Sequence, residues 1–191
     1  MLIYPGVCFD EHFSLEIIFI ENNLIILFSI FFAITMKAST INELKQELAN
    51  LPAPTLVDLC LRLARFKKEN KELLTYLLFE AHDNPAYIKA VKDEMALQFA
   101  DINKSNVYFV KKTLRKILRS VKKYIRYSGL AIVEVELLIY FCESMKELNI
   151  SIDKNPVLHN IYQNQLKNIN KALKGLHEDL QYDYLRAVKN L

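Results

Sequence analysis

The stretch Ser105–Tyr127, SNVYFVKKTLRKILRSVKKYIRY, decides the fold class. Val107, Val110, Leu114, Ile117, Val121 and Tyr124 step by 3, 4, 3, 4 and 3 residues. With 3.6 residues per turn they fall on one stripe of an α-helix, which Leu118 and Ile125 widen. Lys111, Lys112, Arg115, Lys116, Arg119, Lys122, Lys123 and Arg126 occupy the opposite arc, uninterrupted by any acid. The pattern predicts a helix from Ser105 to about Tyr127, stopped by Gly129. It packs on one side and presents eight positive charges on the other.

Helical signatures continue in both directions. Downstream, Leu130–Leu148 reads as a helix that is apolar on most sides up to Cys142. Residues 131–136 alternate apolar and acidic like a strand. The apolar run is too long for one strand, however, and continues into Glu143–Leu148. Asn155-Pro156 and Asn84-Pro85 each place a capping side chain before a proline at the first helical position. Ile88, Val91, Met95, Phe99 and Ile102 follow the earlier pair. Val157, Ile161, Tyr162, Leu166, Ile169 and Leu173 follow the later one, up to a stop at Gly175. A last helix covers Glu178–Asn190, with Leu180, Tyr184, Leu185 and Val188 inward.

Upstream, Thr40 and Glu43 form a capping box before Ile41, Leu44, Leu48 and Leu51, and Pro52 and Pro54 end that helix. Thr55 with Asp58 predicts a second box, before Leu56, Leu59, Cys60, Leu63 and Phe66. Lys67–Lys71 is a polar stretch, a short connection or a solvated helix end, and Leu73–Phe79 reads as the buried part of a third helix. The expected fold class is all-α: an irregular helical bundle or a short stack of helical pairs, with seven or eight helices. No motif repeats with a period of 30–45 residues, so no solenoid is indicated.

Composition excludes several function classes. The 191 residues include three glycines, against about 13 at average usage. Gly6, Gly129 and Gly175 stand alone, whereas a P-loop or a dinucleotide fingerprint needs glycines clustered within a few residues. Cys8, Cys60 and Cys142 have no Cys-x-x-Cys spacing; Cys60 and Cys142 are expected as small core residues in a reduced compartment. His12, His82, His159 and His177 form no paired metal motif. His82-Asp83 suits a helix end, and His177-Glu178-Asp179 suits a helix start. No serine lies in a nucleophile elbow. Neither catalytic chemistry, metal nor cofactor is expected.

Charge divides the chain. The net +3 averages residues 1–36, which hold no Lys or Arg and net −4, with residues 37–191 at +7. Domain organisation is therefore expected as an apolar acidic leader over 1–36 and one α-helical domain over 37–191. Leu24–Thr35 is apolar apart from Ser29, and twelve helical residues span roughly 18 Å against a hydrocarbon core of about 30 Å. Three readings stay open. Translation begins at Met36 and the leader is not expressed; residues 24–36 form a short inner-membrane anchor with 37–191 in the cytoplasm; or the leader is a cleaved signal or a packed helix. A membrane partner is expected only if residues 13–36 are expressed.

The eight bases of 105–127 repel one another at i, i+4 spacing. They are neutralised by neighbours such as Glu134, Glu136, Glu143, Glu147, Glu178, Asp179 and Asp183, or they face an anionic partner. That partner would be a nucleic-acid backbone, an anionic membrane surface or an acidic protein.

Residues 41–78 carry a family resemblance: Leu44-Lys45-x-x-Leu48, Leu51, then Leu56-x-x-Leu59 running into Lys67-Lys68-x-Asn70-Lys71-Glu72. This segment resembles the opening of small all-helical bacterial proteins classed as domains of unknown function. It is also similar to the two-helix SAP module, without the Gly and Lys that module carries between its helices. The resemblance implies helices and transfers no function or site residue. The functional expectation is a non-enzymatic helical interaction or scaffold protein in a bacterial cytoplasm, with a protein partner. The alternatives are a nucleic-acid binder using 105–127 and a membrane-tethered helical domain.

Overall fold

The computed structural model describes residues 38–191. The chain divides into two units, Met1–Leu56 and Val57–Leu191. The expected leader, with the run Leu24–Thr35, Cys8 and His12, lies outside the described residues. Within the first unit, α1 (Ile41–Ala49) starts at the capping box read from the sequence. Thr40 Oγ1 accepts the Glu43 amide at 3.3 Å, and Glu43 Oε2 accepts the Thr40 amide at 2.7 Å. Two donors that a helix start would leave bare are thereby satisfied.

The second unit contains most of α2 (Ala53–Phe66), followed by α3 (Lys68–Thr75) and a π-helical turn, Tyr76–Glu80. Then come α4 (Asn84–Ala100), α5 (Val107–Ser128), α6 (Ala131–Glu147), α7 (Pro156–Leu173) and α8 (Glu178–Lys189). Among the described residues all regular structure is helical, and the fold is an all-α bundle. None of these helices is long and apolar enough to cross a membrane.

The bundle is organised around α6. Its Val133, Val135, Leu137, Leu138, Phe141, Cys142 and Met145 are buried on several sides of the helix. A helix apolar all round must be enclosed by others, and α4, α5, α7 and α8 pack against it. The acidic–apolar alternation at its start is therefore helical, as expected. α4 contributes Val91, Met95 and Phe99, with the Phe99 and Phe141 rings edge to face at 5.5 Å. From α5 the core takes Val110, Leu114, Ile117 and Val121. From α7 it takes Leu158, Ile161, Tyr162, Ile169 and Leu173. Gly129 closes α5 at φ 64°, the left-handed conformation that glycine adopts without a Cβ clash.

Several local expectations are corrected. α2 begins at Ala53, not at a Thr55 cap, because Pro54 sits in the first turn, where a missing N–H costs nothing. The cap of α4 is Asp83, whose carboxylate accepts the Ala86 amide at 3.0 Å; Asn84 is the first helical residue. Asn155 does cap α7. α5 is capped by Asn106 rather than opened by Ser105. Gly175 follows α7 without a positive φ, and a Cβ added there would meet Ala131 Cβ at 3.6 Å, an ordinary contact. Cys60 is exposed, because α2 buries none of its residues; Cys142 is buried. Leu77, Leu78 and Phe79 also lie exposed, leaving Tyr76 as the buried residue of the π-helical turn. On α8 the inward face runs through Tyr184, Ala187 and Val188, with Leu180 and Leu185 outside.

Candidate polyanion-binding face

α5 is held by its apolar stripe, and that stripe aims the bases away from α6. Lys112, Arg115, Lys116, Arg119, Lys122 and Arg126 are exposed; Lys111 and Lys123 are half-buried. The run from Lys111 to Arg126 spans roughly 22 Å of helix. Lys123 is the exception to an open face. Its ammonium lies 2.6 Å from Glu72 Oε2 of α3 and within 6 Å of two rings, Tyr124 at 5.1 Å and Tyr127 at 5.9 Å. Tyr127 donates its hydroxyl to the same Glu72 oxygen at 2.9 Å. The Lys123 hydrogen bond holds the Glu72 carboxyl below its ordinary value; partial burial opposes the shift and Tyr127 reinforces it.

The other seven bases have no carboxylate within ion-pair distance among the described residues. The acids expected to neutralise them are engaged elsewhere or unpaired. Glu136 binds Lys92 of α4 and accepts the Tyr184 hydroxyl of α8 at 2.6 Å. Burial raises its pKa, but these two hydrogen bonds outweigh that and the net shift is downward. Asp179 lies 3.3 Å from its own neighbour His177. Glu134 lines an open groove of about 830 Å³ with Lys116, Arg119, Lys122 and Arg126, at no ion-pair distance from them. Among the described residues the tertiary neutraliser of this helix is thus Glu72, an acid from before it, and it reaches one base only.

A second groove of about 570 Å³ follows the other flank, lined by Tyr108, Lys111, Lys112, Arg115, Leu118, Arg119 and Lys122. Tyr108 is 55% exposed and packs edge to face on the exposed Phe109 at 5.6 Å. Lys111 Nζ lies 5.2 Å over the Tyr108 ring. An aromatic pair therefore sits at the amino-terminal end of the basic face. The tyrosines at the other end are committed inward. Tyr124 donates to Glu94 at 2.7 Å, and its carbonyl accepts the Tyr87 hydroxyl at 3.1 Å. Burial above all holds the Tyr87, Tyr124 and Tyr127 phenols well above their ordinary value.

Among the described residues no group of three His, Cys, Asp or Glu is placed to hold a metal ion. His159 pairs with Asp153 at 3.2 Å and His177 with Asp179, in two separate places. Burial pushes the Cys142 thiol up to about 12, which keeps it protonated. Glu72 and the Tyr108–Phe109 pair were not singled out as site residues by sequence reasoning. An acid 51 residues from its lysine leaves no local signature. The exposure of Tyr108 depends on which side of α5 the core occupies. Comparison of the chain with protein-family models, with curated proteins and with solved structures finds no match in any of the three.

Proposed function

We propose that this protein is a non-enzymatic helical interaction protein that holds a nucleic-acid phosphate backbone along α5. One observation carries the reading: seven of the eight bases on one helix face have no acidic partner among the described residues. Each i, i+4 pair of like charges costs a few tenths of a kcal/mol, and a bound polyanion removes that cost while releasing condensed counterions. A protein that only needed solubility could distribute the same charge over several helices. The exposed Tyr108 at one end offers a face on which a base can stack, which favours a single strand over a duplex.

The test is fluorescence anisotropy of a labelled oligonucleotide, single-stranded and duplex, across a salt series. Contact with about three to five phosphates gives a log–log salt slope of roughly −2 to −3.5 for the single strand. The triple variant Arg115→Glu, Arg119→Glu, Lys122→Glu abolishes binding. Failure of the wild-type chain to bind either oligonucleotide at low salt rejects the reading. Binding to heparin alone reassigns the face to another polyanion.

A further inference from the structure

Between residues 57 and 79 the second unit leaves Leu61, Leu78 and Phe79 on the surface, together in the lining of one groove. The exposures are large: 69% for Phe79, 63% for Leu78 and 43% for Leu61. Scattered apolar residues need no explanation, but a contiguous group does. Two features assemble this group. Asn70 Nδ2 donates to the Leu63 carbonyl at 2.9 Å and ties the start of α3 to α2. The π-helical turn then widens the winding, so Tyr76 enters the core while Leu77, Leu78 and Phe79 stay outside. Single π turns within helices concentrate at functional sites.

The result is an open groove of about 590 Å³ between α2 and the α3–π segment. Its floor is Leu61, Leu74, Leu78 and Phe79; Arg65, Lys68 and Lys71 edge it, and no acid lines it. Lys68 reaches Glu72 at 3.7 Å while 89% exposed, so that pair leaves the rim positive.

We propose that this groove docks an amphipathic helix of a partner protein whose apolar stripe is flanked by carboxylates. An apolar floor between helices accepts side chains spaced i, i+3/i+4 and i+7, and its charged rim selects the flanking residues of the incoming helix. A second copy of this chain is a poor occupant, because two-fold pairing through this face sets Arg65, Lys68 and Lys71 against the same bases. No β-edge is present among the described residues to recruit an extended peptide.

The test selects a displayed library of helical peptides with randomised faces on the full chain, with counter-selection on Leu78→Glu. Selected peptides are expected to carry a Leu/Ile/Phe stripe bordered by Asp and Glu. Their affinity falls at least tenfold on Leu78→Glu, and Lys68→Glu with Lys71→Glu inverts the preference towards Lys-flanked peptides. These side chains are exposed, so circular dichroism stays unchanged; Leu78→Ala, with a smaller loss, serves as a milder check. Selection of no Leu78-dependent peptide, or of base-flanked ones, overturns the proposal. A dimer in sedimentation velocity that Leu78→Glu dissolves also overturns it, assigning the face to a second copy. Nucleic-acid binding by Leu78→Glu is expected to match the wild type, so the two proposals fail separately.

Discussion

Lys123 separates the two uses of charge on one helix. It lies in the same arc as Arg119 and Lys122, yet its ammonium is held by Glu72 and two tyrosine rings. Removing its partner leaves a partly buried charge unmatched, so Glu72→Ala is expected to cost about 1–2 kcal/mol by urea unfolding. A double-mutant cycle with Lys123→Met should recover part of that cost. The same substitution leaves the seven outward bases in place, so nucleic-acid affinity should change little. At the other end, Tyr108→Ala removes the stacking face. It should weaken single-strand binding by roughly 5- to 100-fold and leave duplex binding near wild type, measured by anisotropy. The cysteines give a further check. Iodoacetamide should label Cys60 in the folded chain, because it is exposed. Cys142 should react only after unfolding, because burial holds its thiol up to about 12. Peptide mass spectrometry separates the two.

At the level of the element, most helices were legible because cap and stripe agree. Thr40 with Glu43 at α1, Asn155 with Pro156 at α7 and Gly129 after α5 all act as their local chemistry predicts. At α4 two adjacent residues can both cap, and the choice falls to backbone geometry. Asp83 takes the role and Asn84 enters the helix. Asp83→Ala is therefore expected to lower stability by about 1 kcal/mol, and Asn84→Ala by less, in thermal or urea unfolding. Gly129→Ala meets no atom within 4 Å but keeps φ 64°, so its cost of about 1 kcal/mol is backbone strain alone. The stripe of α2 was legible as a pattern and misleading as a prediction of burial. Leu63 and Phe66 have helical spacing, but spacing says which side chains share a face and not whether anything covers that face.

For the whole molecule, charge pairing sets the pH range of stability. Glu72 and Glu136 are both held below their ordinary 4.5 in the folded chain. A lowered folded pKa gives stability that is present above the unfolded value and lost as pH falls through the folded one. The urea midpoint should therefore drop on acidification below about 4.5, and drop less steeply in Glu72→Gln. On the alkaline side the buried Tyr87 and the partly buried Tyr124, Tyr127 and Tyr184 are raised above 10. Their contribution is complete below 10 and lost above it as unfolding lets the phenols ionise. The amino-acid sequence by itself determined the all-α class, the order of helices from residue 40 onward, several caps and the eight-base arc. All of these follow from periodicity and from chemistry within a few residues. It also named acids after α5 as candidates to neutralise that arc, and there local reasoning ended. Whether Glu136 meets α5 or Lys92, and whether Glu72 meets Lys123, depends on distances between residues some 44 to 51 positions apart. The tertiary structure alone decided these pairings, because burial and ion pairing are properties of neighbours in space. For the same reason it alone left, among the described residues, one face of α5 charged and without acidic partners and much of α2 apolar and exposed.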